Sequence, residues 1–151
     1  MRRILILVAA GIALAACGDQ PQTSTAERVV HVGEATVLAD IADDAESRQR
    51  GLSGRERLAA DEGMLFLLPN DSPSFWMKGM RFPLDIVWIR DGRVVDVSAD
   101  VPPPRGPDAP LPTYSPDRPA NRVLEVNAGW AEDHGIRRGD LVRVRRGAGS
   151  G

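Results

Sequence analysis

Leu84-Asp85-Ile86-Val87-Trp88-Ile89, Arg90-Asp91-Gly92-Arg93 and Val94-Val95-Asp96-Val97 form the stretch on which the fold turns. Two β-branched, apolar runs flank an Asp-Gly pair, and such a pair accepts the positive φ angles of a two-residue hairpin turn. The pattern predicts strands over 84–89 and 94–101, joined tightly at Asp91-Gly92.

Similar runs lie on either side. Towards the N-terminus, Val29–Val32 and Ala35–Ile41 flank Gly33-Glu34 and read as a first hairpin. Asp43 or Asp44 can cap a short helix through Arg50 that Gly51 ends. Ser53 and Glu56 have capping-box spacing, which predicts a second helical turn through Leu58. Met64–Leu68 reads as a buried strand closed by Pro69-Asn70-Asp71, and Phe75-Trp76-Met77 as another. Towards the C-terminus, 102–119 holds eight of the twelve prolines, and a loop of that length is usually functional or disordered. Arg122–Val126 and Leu141–Val144 read as strands and Gly129–His134 as a short helix. The expected fold is mainly β: a single compact β-sandwich or barrel-like domain over 29–146, with one or two short helices. The tail 147–151 has nothing to pack and reads as disordered.

The first residues read as a targeting segment. Arg2 and Arg3 precede an apolar run, Ile4–Leu14, too short for the roughly 20 residues that span a bilayer. It has the length of a secretory h-region. Leu14-Ala15-Ala16-Cys17 resembles the lipobox of bacterial lipoproteins, in which the cysteine is acylated and becomes the new N-terminus. The plainer alternative is an ordinary signal peptide cleaved after Ala-x-Ala, which would leave a free thiol. The expected organisation is a signal over 1–16, lipidated Cys17 with a polar tether over 17–28, and then the domain. The expected location is the cell envelope, on the periplasmic face of the inner or outer membrane.

Composition narrows the function classes. A net charge of −2 gives no basic footprint, so nucleic-acid binding is not expected. The two histidines, His31 and His134, lack metal-ligand spacing, and no metal or cofactor is expected. No nucleophile elbow or phosphate-binding loop occurs, and acylation of the only cysteine would remove thiol chemistry.

Five blocks carry a resemblance: Glu46-Ser47-Arg48-Gln49-Arg50-Gly51-Leu52, Asp61-Glu62-Gly63-Met64-Leu65-Phe66, Phe75-Trp76-Met77-Lys78, Pro83-Leu84-Asp85-Ile86, and Val123 to Gly129 followed by Gly135-Ile136 and Gly139-Asp140. In this order they resemble the domain-of-unknown-function 192 family of small bacterial and archaeal proteins. The resemblance implies a compact β fold and no established activity. Two departures stand out: Gly79 and Met80 replace the family's usual asparagine and threonine, and the proline-rich loop lacks the cysteines that many members carry.

The ligand-binding candidates are Trp76, Met77, Lys78 and Asp85. Lys78, the only lysine, can offer a point charge to a small polar or carbohydrate-like ligand, with the Trp76 indole as a stacking face. The plainer reading of Lys78 is a lysine that discourages edge pairing. Asp85 lies in an apolar strand and must be hydrogen-bonded, most simply by backbone N–H groups of a neighbouring loop. Tyr114, without an evident core neighbour, is a lid or partner candidate. The leading reading is a non-catalytic binding or accessory module of the envelope. One alternative is an envelope hydrolase acting on carbohydrate or cell-wall material through Asp85 and Glu125. The other is a protein–protein interaction module built on the proline-rich loop. The anchor has a direct test: labelled palmitate fed to expressing cells should appear on the wild-type protein and not on Cys17→Ser, and label on the serine variant would refute lipidation at this residue.

Overall fold

The computed structural model describes residues 28–146, leaving out 72 and 107; the signal, most of the tether, Cys17 and the tail 147–151 lie outside the described residues. The first hairpin forms where the pattern places it, from β1 (Arg28–Val32) and β2 (Ala35–Ala42). Helix α1 (Ala45–Arg50) follows, with Asp44 as N-cap: its carboxylate accepts from the Ser47 N–H at 2.9 Å, and Gly51 ends the helix at φ 52°. The predicted helical turn at 53–58 does not form, and the chain there runs as turns and bends. Burial of Leu52 and Leu58 holds that path.

Strand β3 (Glu62–Leu67) then lies parallel to β2, a pairing no local pattern announces. Next come β4 (Phe75–Trp76), β5 (Leu84–Arg90), β6 (Arg93–Val101), β7 (Thr113–Tyr114), β8 (Arg122–Asn127), α2 (Trp130–Asp133) and β9 (Val142–Arg146). In the turn between β5 and β6, Asp91 and Gly92 take φ 49° and 74°, as the hairpin reading requires. The seven-stranded sheet runs β6-β5-β8-β3-β2-β1-β9, and a small second sheet pairs β4 with β7. The fold is mainly β, a curled half-barrel with two short helices.

The curl brings the two outer strands together at one end. Val142 N–H donates to Gly92 O at 2.8 Å and Val94 N–H to Asp140 O at 3.0 Å, while Arg93 and Leu141 form an isolated bridge. The exposed arginines of β9, Arg143, Arg145 and Arg146, discourage foreign strands along the rest of that edge.

Strand alternation divides the apolar residues into two cores. Val30, Val37, Leu65, Val87, Leu124 and Val126 pack inside the curl with Trp130. Phe66, Leu84, Ile86, Trp88 and Val123 pack on the other face with Leu52 and Met77. Tyr114 is half-buried against this second core, paired with Phe75 across the small sheet, so it is a packing residue rather than an unattached loop residue.

Asp85 is fully buried. One carboxylate oxygen accepts the Asp100 N–H at 2.9 Å, and the other accepts the Ala131 N–H at 2.8 Å. It thus joins the end of β6, where Asp100 has φ 51°, to the first turn of α2. Asp85→Ala strips both N–H groups of their partner and should lower unfolding free energy by about 3 kcal/mol or more, read by urea denaturation.

Candidate functional site

The site grows out of α1 and the turn that follows it. The Arg48 guanidinium donates to Asp43 O and, at 3.1 Å, to Leu67 O, fastening the helix to the end of β3. Beyond Gly51, the buried Leu52 anchors the chain, and Gly54 N–H donates to Gly79 O at 3.0 Å. Gly79 has φ +72°, and a Cβ there would lie 2.1 Å from the Ser53 hydroxyl oxygen. Glycine and asparagine are the residues that visit this left-handed conformation most readily. Glycine at 79 thus meets both the positive φ and the close approach of Ser53.

The facing wall is β4, with β7 alongside. Phe75 meets Phe66 edge-on, ring centroids 4.9 Å apart, and meets Trp88 edge-on at 5.6 Å. Alternation then turns Trp76 outward, where 53% of it is exposed. Lys78 Nζ lies 5.5 Å from the Trp76 ring centroid, within cation–π range.

Between these walls is a cavity of about 390 Å³. Leu52, Phe66, Leu68, Phe75 and Met80 supply apolar lining, while Arg48, Arg50, Ser53, Lys78 and Glu125 supply polar groups. An apolar hollow with a few convergent polar groups is the usual form of a small-molecule site. Arg50 is committed to Glu46 by an exposed 3.1 Å ion pair. Lys78 has no carboxylate partner among the described residues.

Glu125 is the unusual member. Only 6% of it is exposed, and among the described residues no group hydrogen-bonds its carboxyl. Its paired neighbours across the sheet, Met64 on β3 and Ile86 on β5, are buried and apolar. Burial therefore pushes its pKa up from 4.5 to about 8, so the acid keeps its proton at neutral pH.

Two of the four ligand-binding candidates, Trp76 and Lys78, line this cavity. Met77 points into the second core and is 3% exposed. Asp85 lies elsewhere, because β5 pairs with β8 so that Asp85 faces Val126 while Glu125 faces Ile86. The two carboxylates are on opposite faces of the sheet. The hydrolase reading that placed both beside one scissile bond does not survive this register. Sequence reasoning noticed Glu125 but assigned it to that pair, and it missed Arg48, Arg50 and Ser53 as lining. The legible signal was an ionisable residue between Leu124 and Val126 in a strand apolar on both faces. Among the described residues, no three His, Cys, Asp or Glu side chains gather to hold a metal ion, and no helix is long and apolar enough to cross a membrane.

The sequence pattern of the domain-of-unknown-function 192 family (DUF192, Uncharacterized ACR) matches residues 28–144. A Sinorhizobium meliloti 1021 protein, described as a candidate transcription regulator, has a similar structure: TM-score 0.73 and 28% identity, covering 82% of this chain and 97% of that one. A Novosphingobium aromaticivorans DSM 12444 protein of unknown function gives TM-score 0.71 and 30% identity, covering 89% of this chain and 99% of that one. No curated protein matches the sequence.

The buried acid carries a stability signature. Glu125 ionises near pH 4.5 when the chain is unfolded and near 8 when folded. Between these values the folded state holds a proton that the unfolded state has lost, so this group lowers stability as pH rises through the window. Glu125→Gln cannot ionise. Its stability relative to wild type should grow from pH 4.5 to pH 8 by on the order of 4 kcal/mol, read by urea denaturation at several pH values.

Proposed function

The chain belongs to the DUF192 family, and we propose that it is a ligand-binding module of the cell envelope, held at a membrane by lipid on Cys17. The cavity carries the binding half of this reading: a hollow of small-molecule size joins the exposed indole of Trp76 to the Lys78 ammonium, which has no carboxylate partner among the described residues, over a buried acid. Arg2-Arg3, the apolar run Ile4–Leu14 and Leu14-Ala15-Ala16-Cys17 support the envelope half. Several acyl chains, at about 0.8 kcal/mol per buried methylene, would make the anchoring stable.

The module reading is preferred to a catalytic one because Glu125 has no second carboxylate beside it among the cavity's lining residues. A nucleic-acid role, which the Sinorhizobium protein's description implies for that protein, draws no support from a net charge of −2. The proline-rich loop supplies β7 to the wall behind Trp76, a part in forming the site that needs no protein partner.

The test is a thermal-shift screen of the full chain in a non-ionic polyoxyethylene detergent, against mono- and disaccharides, nucleotides and cell-wall fragments. A compound at one hundred times its dissociation constant should stabilise the wild type by about 2.7 kcal/mol. Trp76→Ala, at an exposed position, should fold normally and bind at least about 1 kcal/mol more weakly. Binding that survives Trp76→Ala unchanged would place the ligand elsewhere.

A further inference from the structure

The cavity's charges are unequal. Its ionisable lining residues are Arg48, Arg50, Lys78 and Glu125, three cations and one acid. Apolar residues enclose the acid along the sheet: Met64 on one side and Ile86 on the other. Asp40 lies beyond Met64 in the same row and is already paired with Arg55. Asn127, two residues along β8, gives its amide N–H groups to Leu58 O and Ala59 O. No sheet neighbour therefore supplies the acid with a counter-charge, and the cavity's cations stand apart from it, on α1 and at the turn at 78–80.

An acid more than nine-tenths buried, without a hydrogen-bond partner among the described residues and lining a cavity, has hydrogen-bonding capacity that an occupant of the cavity can use. Resting on the binding-module reading above, we infer that the occupant is a small organic acid. Its carboxylate answers Lys78, which unlike Arg50 has no carboxylate partner among the described residues, its apolar body lies along Leu52, Phe66 and Phe75, and one of its oxygens accepts the O–H of Glu125. A neutral carboxylic acid can donate to an anion where a carboxylate would repel it. The high pKa of Glu125 keeps that donor available at neutral pH. The apolar lining favours an organic carboxylate over a bare inorganic anion, which would lose hydration and gain no apolar contact.

Three probes of one shape test this: benzoate, benzamide and benzylammonium, titrated calorimetrically into the full chain in non-ionic detergent. Benzoate should bind at least about tenfold more tightly than either of the others at pH 6.5. Its affinity should fall by about tenfold at pH 9, where Glu125 is ionised, and Glu125→Gln should abolish that fall while still binding benzoate. Lys78→Ala should weaken benzoate and leave benzamide unchanged. Equal or tighter binding of benzamide or benzylammonium overturns the organic-acid inference and leaves the binding module standing. Silence from all three probes also overturns it, and the module itself falls only if the sugar, nucleotide and cell-wall screen is silent too. A pH dependence that persists in Glu125→Gln removes Glu125 from the recognition.

Discussion

The register of β5 against β8 is the constraint on which the rest depends. Asp85 stands opposite Val126 and Ile86 opposite Glu125, so one carboxylate enters the inside of the curl and the other the opposite face. A slip of one residue would bring both to the same face. Each is surrounded mainly by hydrocarbon, yet they meet that environment differently. Asp85 finds two backbone N–H groups at 2.8–2.9 Å and becomes a structural tie. Glu125 finds none among the described residues, and the cost of its charge is avoided by keeping the proton. The same residue class thus yields a structural tie on one face and a protonated acid lining a cavity on the other.

The parallel pairing of β2 with β3 decides what surrounds that second acid. Adjacent parallel strands need a crossover, and here it is the stretch containing α1 and the 51–58 turns. The crossover lies over the Glu125 face, where Leu52 and Leu58 join the second core and Arg48 reaches Leu67 O. The contact from Gly54 to Gly79 then links the crossover to the turn bearing Lys78. A sheet connection that is topologically necessary has been made into one wall of a cavity.

The hairpins were legible because their information is local. Asp91-Gly92 and Gly33-Glu34 sit between alternating or apolar runs, and capping at Asp44 needs only Ser47. The parallel β2–β3 contact was not legible, since nothing within either strand specifies a distant partner. The turn predicted at 53–58 failed because capping-box spacing was outweighed by burial of Leu52 and Leu58. At the site, Trp76 and Lys78 were readable from their block, whereas Met77 falls on the buried side of the same alternation. The separation of Asp85 from Glu125 required a register that composition cannot give.

The proline-rich segment has a thermodynamic consequence of its own. It contributes β7, whose pairing with β4 backs Trp76, and Arg138 pins its far end by reaching both oxygens of Asp117 at 3.0 Å. Proline restricts the backbone before folding begins, so such a wall loses less freedom on becoming ordered than an ordinary loop would. The benefit reappears at association. An arriving molecule meets a surface already in its receiving shape, and less of its contact energy is spent on organising the host. Stiffness far from the acid is thereby converted into preorganisation at the indole.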